Sequence, residues 1–287
     1  MTAGVQELDA RLSVLLDFGP DVKIHAFSQE VRRNTGNGKA SASVLDSTGT
    51  FPWYGGLLLA SWIATLEPPE VCQGRSVIEL GCGSAAFPSA AISMRGAAVT
   101  RATDGCAHSV RSAGAVLAYN DASVGSTARY FAWQDGVAED EVRSWDIVLF
   151  ADVLYKDGLA GLLARTISSL LSPGGEVIGA VGLHRNASQD FFREMQLQGF
   201  SAQEIEVPGP VVSSATEAAS ALGKATNTCD SMDSTGRSNN DCMLVRWARA
   251  DEAEGDLGLE MAEILQQRVL HAPRMVEHKA EAWMPTE

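Results

Sequence analysis

From residue 53 to residue 207 short apolar runs alternate with helical spacings, and no other feature of the chain constrains its fold as much. The pattern predicts a helix over 57–66, a strand over 76–80, a helix after 86, a strand over 98–103 and a helix over 107–119. It continues with a strand over 128–132, a strongly apolar strand over 146–150, a helix over 159–171 and a strand over 176–181 after Ser172-Pro-Gly-Gly175. A helix over 189–198 and a strand over 202–207 follow, and Cys242-Met-Leu-Val-Arg-Trp-Ala248 supplies one more strand. A chain that returns through a helix after each strand lays its strands parallel and covers both faces of the sheet. The expected class is α/β, a doubly wound, mostly parallel seven-stranded sheet with right-handed crossovers.

Before this core, Val5, Leu8, Leu12, Leu15 and Leu16 stand at helical spacing, which predicts an amphipathic helix over 5–16. Residues 22–27 alternate like a strand, Asn34-Thr-Gly-Asn-Gly is turn chemistry, and a second extended piece ends near 51. Residues 1–52 therefore read as a helix and hairpin extension, and 53–249 as the main domain. Within that domain 209–240 is rich in Ser, Thr, Ala and Asn and poor in large apolar residues, which predicts a flexible insertion. Residues 250–287 form an acidic tail with helical spacing at Leu257, Met261, Ile264 and Leu265.

Composition removes several function classes. A chain of 287 residues, 45% hydrophobic, can build a sizeable core. Its formal net charge of -14 speaks against non-specific binding to nucleic acid or an anionic membrane, both of which need a basic face. The longest apolar run, 57–66, falls short of the roughly 20 residues that span a bilayer. Glu7, Asp9 and Asp17 sit where a secretory signal would be basic and then apolar, so the expectation is a cytoplasmic protein, with the nucleus left open. Five cysteines form no C-x-x-C pair and the histidines have no metal-site spacing, so neither a disulfide framework nor a metal site is expected. Oligomeric state is not legible.

The chemistry gathers around Val77-Ile-Glu-Leu-Gly-Cys-Gly-Ser-Ala-Ala86, a strand that runs into a small-residue turn and then a helix. Gly81 and Gly83 let the backbone approach a ligand without a Cβ in the way, at the sheet edge where α/β proteins bind ligands. Asp104 ends the next strand, where a carboxylate can accept hydrogen bonds from ribose hydroxyls. The spacing G-x-G-x-x-A fits a nicotinamide dinucleotide as well as S-adenosylmethionine. Glu79 is unusual for a buried strand end; it either orients the turn, is satisfied by turn amides, or faces a ligand's ammonium group.

Glu79-Leu-Gly-Cys-Gly83 together with Ala102-Thr-Asp104-Gly resembles the first motifs of class I S-adenosylmethionine-dependent methyltransferases. Three further segments are similar to the seven-strand protein-lysine methyltransferases called methyltransferase family 16. They are Phe51-Pro-Trp53-Tyr-Gly-Gly-Leu-Leu-Leu-Ala60, Phe131-Ala-Trp133-Gln-Asp135 and Asp146-Ile-Val-Leu-Phe-Ala-Asp152-Val-Leu-Tyr155, the last carrying the family's Asp-x-x-Tyr. The resemblance implies a Rossmann-like methyltransferase fold and S-adenosylmethionine as cofactor, contacted by Trp53, Gly81, Cys82, Gly83, Asp104, Trp133 and Ala151; Glu79 joins these as a candidate partner of the ligand's ammonium group. It also implies a protein substrate bearing a target lysine, with Asp152 and Tyr155 catalytic. Pro68-Pro-Glu-Val-Cys-Gln-Gly-Arg-Ser-Val77 is similar to the segment before the first strand in lysine methyltransferases of a translation elongation factor.

One departure stands out: many class I enzymes carry a third glycine where this chain has Ala85, and the extra methyl is expected to narrow the pocket. Taken without the resemblance, Asp152 equally suits capping of the helix that follows, with Tyr155 packed beneath it. The competing functions are a small-molecule N-methyltransferase, a nicotinamide-dependent oxidoreductase, and a non-catalytic binding module on the same fold.

Overall fold

Strand Trp145–Ala151 and strand Ser76–Leu80 explain the sheet, because their successive side chains enter two different cores. Ile147, Leu149 and Val77 point to one side, Val148, Phe150, Ile78 and Leu80 to the other. A strand buried on both faces needs helices on both faces. The computed structural model describes residues 13–19, 21–27, 49, 52–66, 72–120, 122, 125–183, 186–226 and 242–250.

In chain order the elements are β1 (Ser13–Gly19), β2 (Val22–Phe27), α1 (Tyr54–Ala64), β3 (Ser76–Leu80), α2 (Phe87–Met94), β4 (Val99–Asp104), α3 (Ala107–Tyr119) and β5 (Ser126–Tyr130). There follow β6 (Trp145–Ala151), α4 (Leu159–Leu170), β7 (Leu171–Gly182), α5 (Asn186–Leu197), β8 (Phe200–Ile205), α6 (Gly209–Thr226) and β9 (Cys242–Arg249). The main sheet has seven strands in the order β5-β4-β3-β6-β7-β9-β8. β9 alone runs antiparallel, to both β7 and β8. This is the doubly wound, mostly parallel sheet that the alternation predicts.

Helices α4 and α5 cover one face, where Phe150, Phe191 and Trp247 stack with centroids 5.2 to 5.6 Å apart. Gly179 is needed there, since any Cβ would collide with the Phe150 ring. On the other face α1, α2, α3 and α6 pack with the β1–β2 hairpin. α1 is buried nearly all round, as a helix sandwiched between a sheet and two further helices must be.

Two expectations need correction. Residues 13–16, the end of the expected N-terminal helix, are strand β1; Leu16 and Phe18 face the core and Leu15 faces out, a two-residue period that a few leucines had disguised as helical. The expected hairpin is present, formed by β2 with β1 before it (Leu16↔Ile24); the later extended piece expected to end near 51 lies outside the described residues. Within the expected flexible insertion, 209–226 is the helix α6, which buries Val211, Ala215, Ala218, Ala219 and Leu222 against α1 and β1. Those positions follow helical spacing, but alanines carry it, and a search for large apolar residues passes over them. Residues 227–241 and 251–287, including the acidic tail, lie outside the described residues, as does most of 28–51.

Candidate active site

The chain leaves β3 for β4 and β5, then returns to lay β6 on the other side of β3. Connections diverge at such a switch point and open a crevice at the carboxyl ends of the two strands. A cleft of about 390 Å³ lies there, within the range of about 300–1,000 Å³ typical of small-molecule sites. All ten residues singled out in the sequence border it: Trp53, Glu79, Gly81, Cys82, Gly83, Asp104, Trp133, Ala151, Asp152 and Tyr155.

The turn after β3 is pinned to the end of β4. The Gly81 and Cys82 N–H groups both donate to the Thr103 carbonyl at 2.8 Å, and the Thr103 hydroxyl donates back to the Glu79 carbonyl at 2.6 Å. Gly81 and Gly83 hold φ of 75° and 58°, the left-handed region where a side chain is strained. A Cβ on Gly81 would lie 2.5 Å from Val153 Cγ1, and one on Gly83 would lie 3.0 Å from the Gly49 carbonyl. Asp104 braces the same turn, accepting from the Gly83 N–H at 3.0 Å and the Cys106 N–H at 2.8 Å. Ala85 lines the cleft, where the expected narrowing by its methyl would act, and the residue after it, Ala86, adopts the left-handed conformation with φ 45°.

Asp152 follows β6 with φ 55°, an uncommon conformation for a residue with a side chain. Its Oδ2 accepts a 2.7 Å hydrogen bond from the Gly55 N–H, 97 residues away. The helix it caps is thus α1, not the α4 that follows it. Gly55 must be glycine, because a Cβ would meet Asp152 Oδ2 at 2.5 Å. Trp53 occupies the N-cap position of the same helix, two residues before the Gly55 N–H from which Asp152 accepts. Trp53 and Tyr155 stand at the mouth, 46% and 40% exposed. Trp133 lies in the single helical turn Trp133–Asp135 after β5, half-buried, with its ring 3.8 Å from where a Cβ on Gly81 would stand.

A family model described as lysine methyltransferase matches residues 38–198. The chain belongs to the lysine methyltransferase family. A curated relative named electron transfer flavoprotein beta subunit lysine methyltransferase, from Danio rerio, is 29% identical over 123 residues, which are 43% of this chain and 45% of the relative. The chain therefore spans less than half of that relative's length. Among solved structures, a ribosomal protein L11 methylase from Lactobacillus delbrueckii subsp. bulgaricus overlays with a TM-score of 0.50 at 14% identity, covering 82% of this chain and 98% of its own. A magnesium protoporphyrin IX methyltransferase from Synechocystis PCC 6803 with bound SAM overlays with a TM-score of 0.46 at 18% identity, over 76% of this chain and 89% of its own. The methylase overlay speaks to the fold alone, which is the Rossmann-like methyltransferase fold.

S-adenosylmethionine is the cofactor of this lysine methyltransferase fold, and the donor set fits it. The ligand carries a sulfonium and an ammonium on one side and a ribose and purine on the other. Glu79 is 2% exposed and accepts from the Ser89 N–H at 2.9 Å and from the Ser89 hydroxyl. Ser89 is the third residue of α2, so Glu79 satisfies one of the open N–H groups at that helix start while also bordering the cleft. Burial pushes its carboxyl up to about 7, against the Ser89 hydrogen bonds, with the Asp104 charge adding to the rise. Burial likewise holds the Cys82 thiol well above its usual value, with Glu79 and Asp104 reinforcing it, so Cys82 is a neutral wall and not a nucleophile. Phe131 and Trp133 offer flat apolar surface beyond Asp104.

Sequence reasoning passed over Gly49, Cys106, Phe131, Gln134, Val153 and Lys156, which also line the cleft. Most lie within a few residues of a strand's carboxyl end, and that position was the available signal. Gly49 is different: its carbonyl reaches the site from the N-terminal segment, accepting from the Ser84 N–H at 2.8 Å. Among the described residues no group of three or more His, Cys, Asp or Glu is placed to hold a metal ion.

Proposed function

We propose that this protein transfers a methyl group from S-adenosylmethionine to the side-chain amine of a lysine on a protein substrate. One observation carries the reading: β3 and β6 are neighbours, so the glycine turn and Asp152 border a single cleft instead of two separate sites. When bound, the cofactor supplies an electrophilic methyl group. Asp104 would hold its ribose, Glu79 its cationic amino-acid end, and Phe131 and Trp133 its purine.

Methyl transfer to nitrogen needs alignment more than acid–base chemistry, and alignment can contribute as much as ~7–11 kcal/mol. The acceptor must be neutral, while a free lysine titrates near about 10.4. Asp152 orients the incoming amine, and the apolar wall made by Val153 and the cleft-facing aromatics favours its uncharged form. The exposure of Trp53 and Tyr155 at the mouth suits a side chain arriving on a macromolecule, and the net charge of -14 suits a basic one.

The relative's name makes the beta subunit of an electron transfer flavoprotein the first substrate to try. The test is incubation with methyl-labelled S-adenosylmethionine in a cell lysate, and separately with that subunit, followed by peptide mass spectrometry. A labelled lysine supports the proposal; label confined to small molecules contradicts it. We place the protein in the cytoplasm or nucleus, which imaging of the tagged chain tests.

A further inference from the structure

A lysine of the chain itself stands in the cleft that this reading assigns to lysine methylation. Lys156 lines the cleft together with Ala151, Asp152 and Tyr155, and its Nζ lies 5.3 Å from the centroid of the Tyr155 ring, over its face. A cation over an aromatic face within about 6 Å is attracted by the ring's quadrupole. A target lysine entering past Tyr155 would meet that same surface, so Lys156 takes the position that the mouth of the site offers to an alkylammonium group. Residues 152–158 form an irregular connection between β6 and α4 in which Asp152 and Gly158 adopt left-handed φ of 55° and 81°. The Lys156 side chain is exposed, and the segment that carries it belongs to neither β6 nor α4.

We propose that Lys156 is a self-methylation site, modified in cis by its own active site. The inference rests on the proposed methyltransferase reading of the cleft. In the step, the Lys156 ammonium first loses a proton to solvent. The free amine lone pair then forms an N–C bond to the methyl carbon as the C–S bond breaks, and that bonding pair stays on sulfur. The products are N-methyl-lysine, protonated, and the neutral thioether S-adenosylhomocysteine; no oxidant or further reactant is required. The Tyr155 face that holds an ammonium also accepts the methylated cation, so the product can remain seated at the mouth.

The experiment uses the purified full chain with methyl-labelled S-adenosylmethionine and no other protein, with cofactor binding measured by calorimetry on the same preparation. The expected result is label on the peptide containing Lys156, at a rate per molecule that does not change with protein concentration. Lys156→Arg, which keeps the charge over Tyr155, is expected to lose that label while binding the cofactor as tightly as the parent chain. Normal cofactor binding without label at Lys156, or label at a different lysine, overturns the self-methylation proposal and leaves the proposed function standing. Absence of cofactor binding overturns both.

Discussion

Glu79→Gln changes one atom in the most deeply buried carboxylate of the cleft, and its effect on stability can be worked out with its sign. Burial raises the Glu79 carboxyl from 4.5 to about 7 in the folded chain. The folded state therefore binds the proton more tightly than the unfolded state, and in the window from 4.5 to about 7 it holds more protons. Stability then falls as pH rises through that window, by about 3 kcal/mol in all at 1.36 kcal/mol per tenfold in proton affinity. The glutamine carbonyl can still accept from the Ser89 N–H and hydroxyl, so the helix start keeps its partner. Because the amide does not titrate, the variant should lose this pH dependence. Urea denaturation of both chains checks it: the stability of the variant relative to the parent should grow by about 2–3 kcal/mol between about pH 5 and about pH 8. A difference that stays constant over that range would refute the claim that this carboxylate is buried at an energetic cost.

Other substitutions probe other parts of the site. Asp152→Ala should abolish methyl transfer and also cost about 0.5–2 kcal/mol of stability by uncapping α1 at Gly55, whereas Asp152→Asn should recover the stability and not the transfer; melting curves beside a transfer assay separate the two. Gly81→Ala combines a left-handed φ with a contact on Val153, so a cost of at least about 1 kcal/mol and weaker cofactor binding are expected in denaturation and calorimetry. Leu222→Ala should cost about 2–5 kcal/mol if α6 is docked as described, against at most about 0.5 kcal/mol for a residue of a loose insertion.

The central sheet could be read from the chain because its physics is local: apolar runs such as 146–150 have the length of a strand and the helices between them have clean spacing. The glycine turn, Asp104 and the Asp152 segment were legible for the same reason, each sitting at the carboxyl end of a strand. What escaped depends on distant partners. The 2.7 Å bond from the Gly55 N–H to Asp152 joins residues 97 apart, and nothing near either one announces the other. The burial of Ala215, Ala218 and Ala219 depends on a close approach to α1 that alanine permits but does not advertise. β1 is short, and a few leucines do not distinguish its two-residue period from a helical one. Glu79 was left open between turn and ligand; the structure gives it Ser89 of α2 as a partner and a place in the cleft wall as well.

The central claim is that the crevice between β3 and β6 binds a charged sulfonium nucleoside. Calorimetric titration of the purified chain with S-adenosylmethionine, S-adenosylhomocysteine and a nicotinamide dinucleotide tests it most directly. Saturable binding of the two sulfur compounds, weakened by Gly81→Ala and with no heat from the dinucleotide, is the predicted result. Binding of the dinucleotide with no heat from either sulfur compound would contradict it.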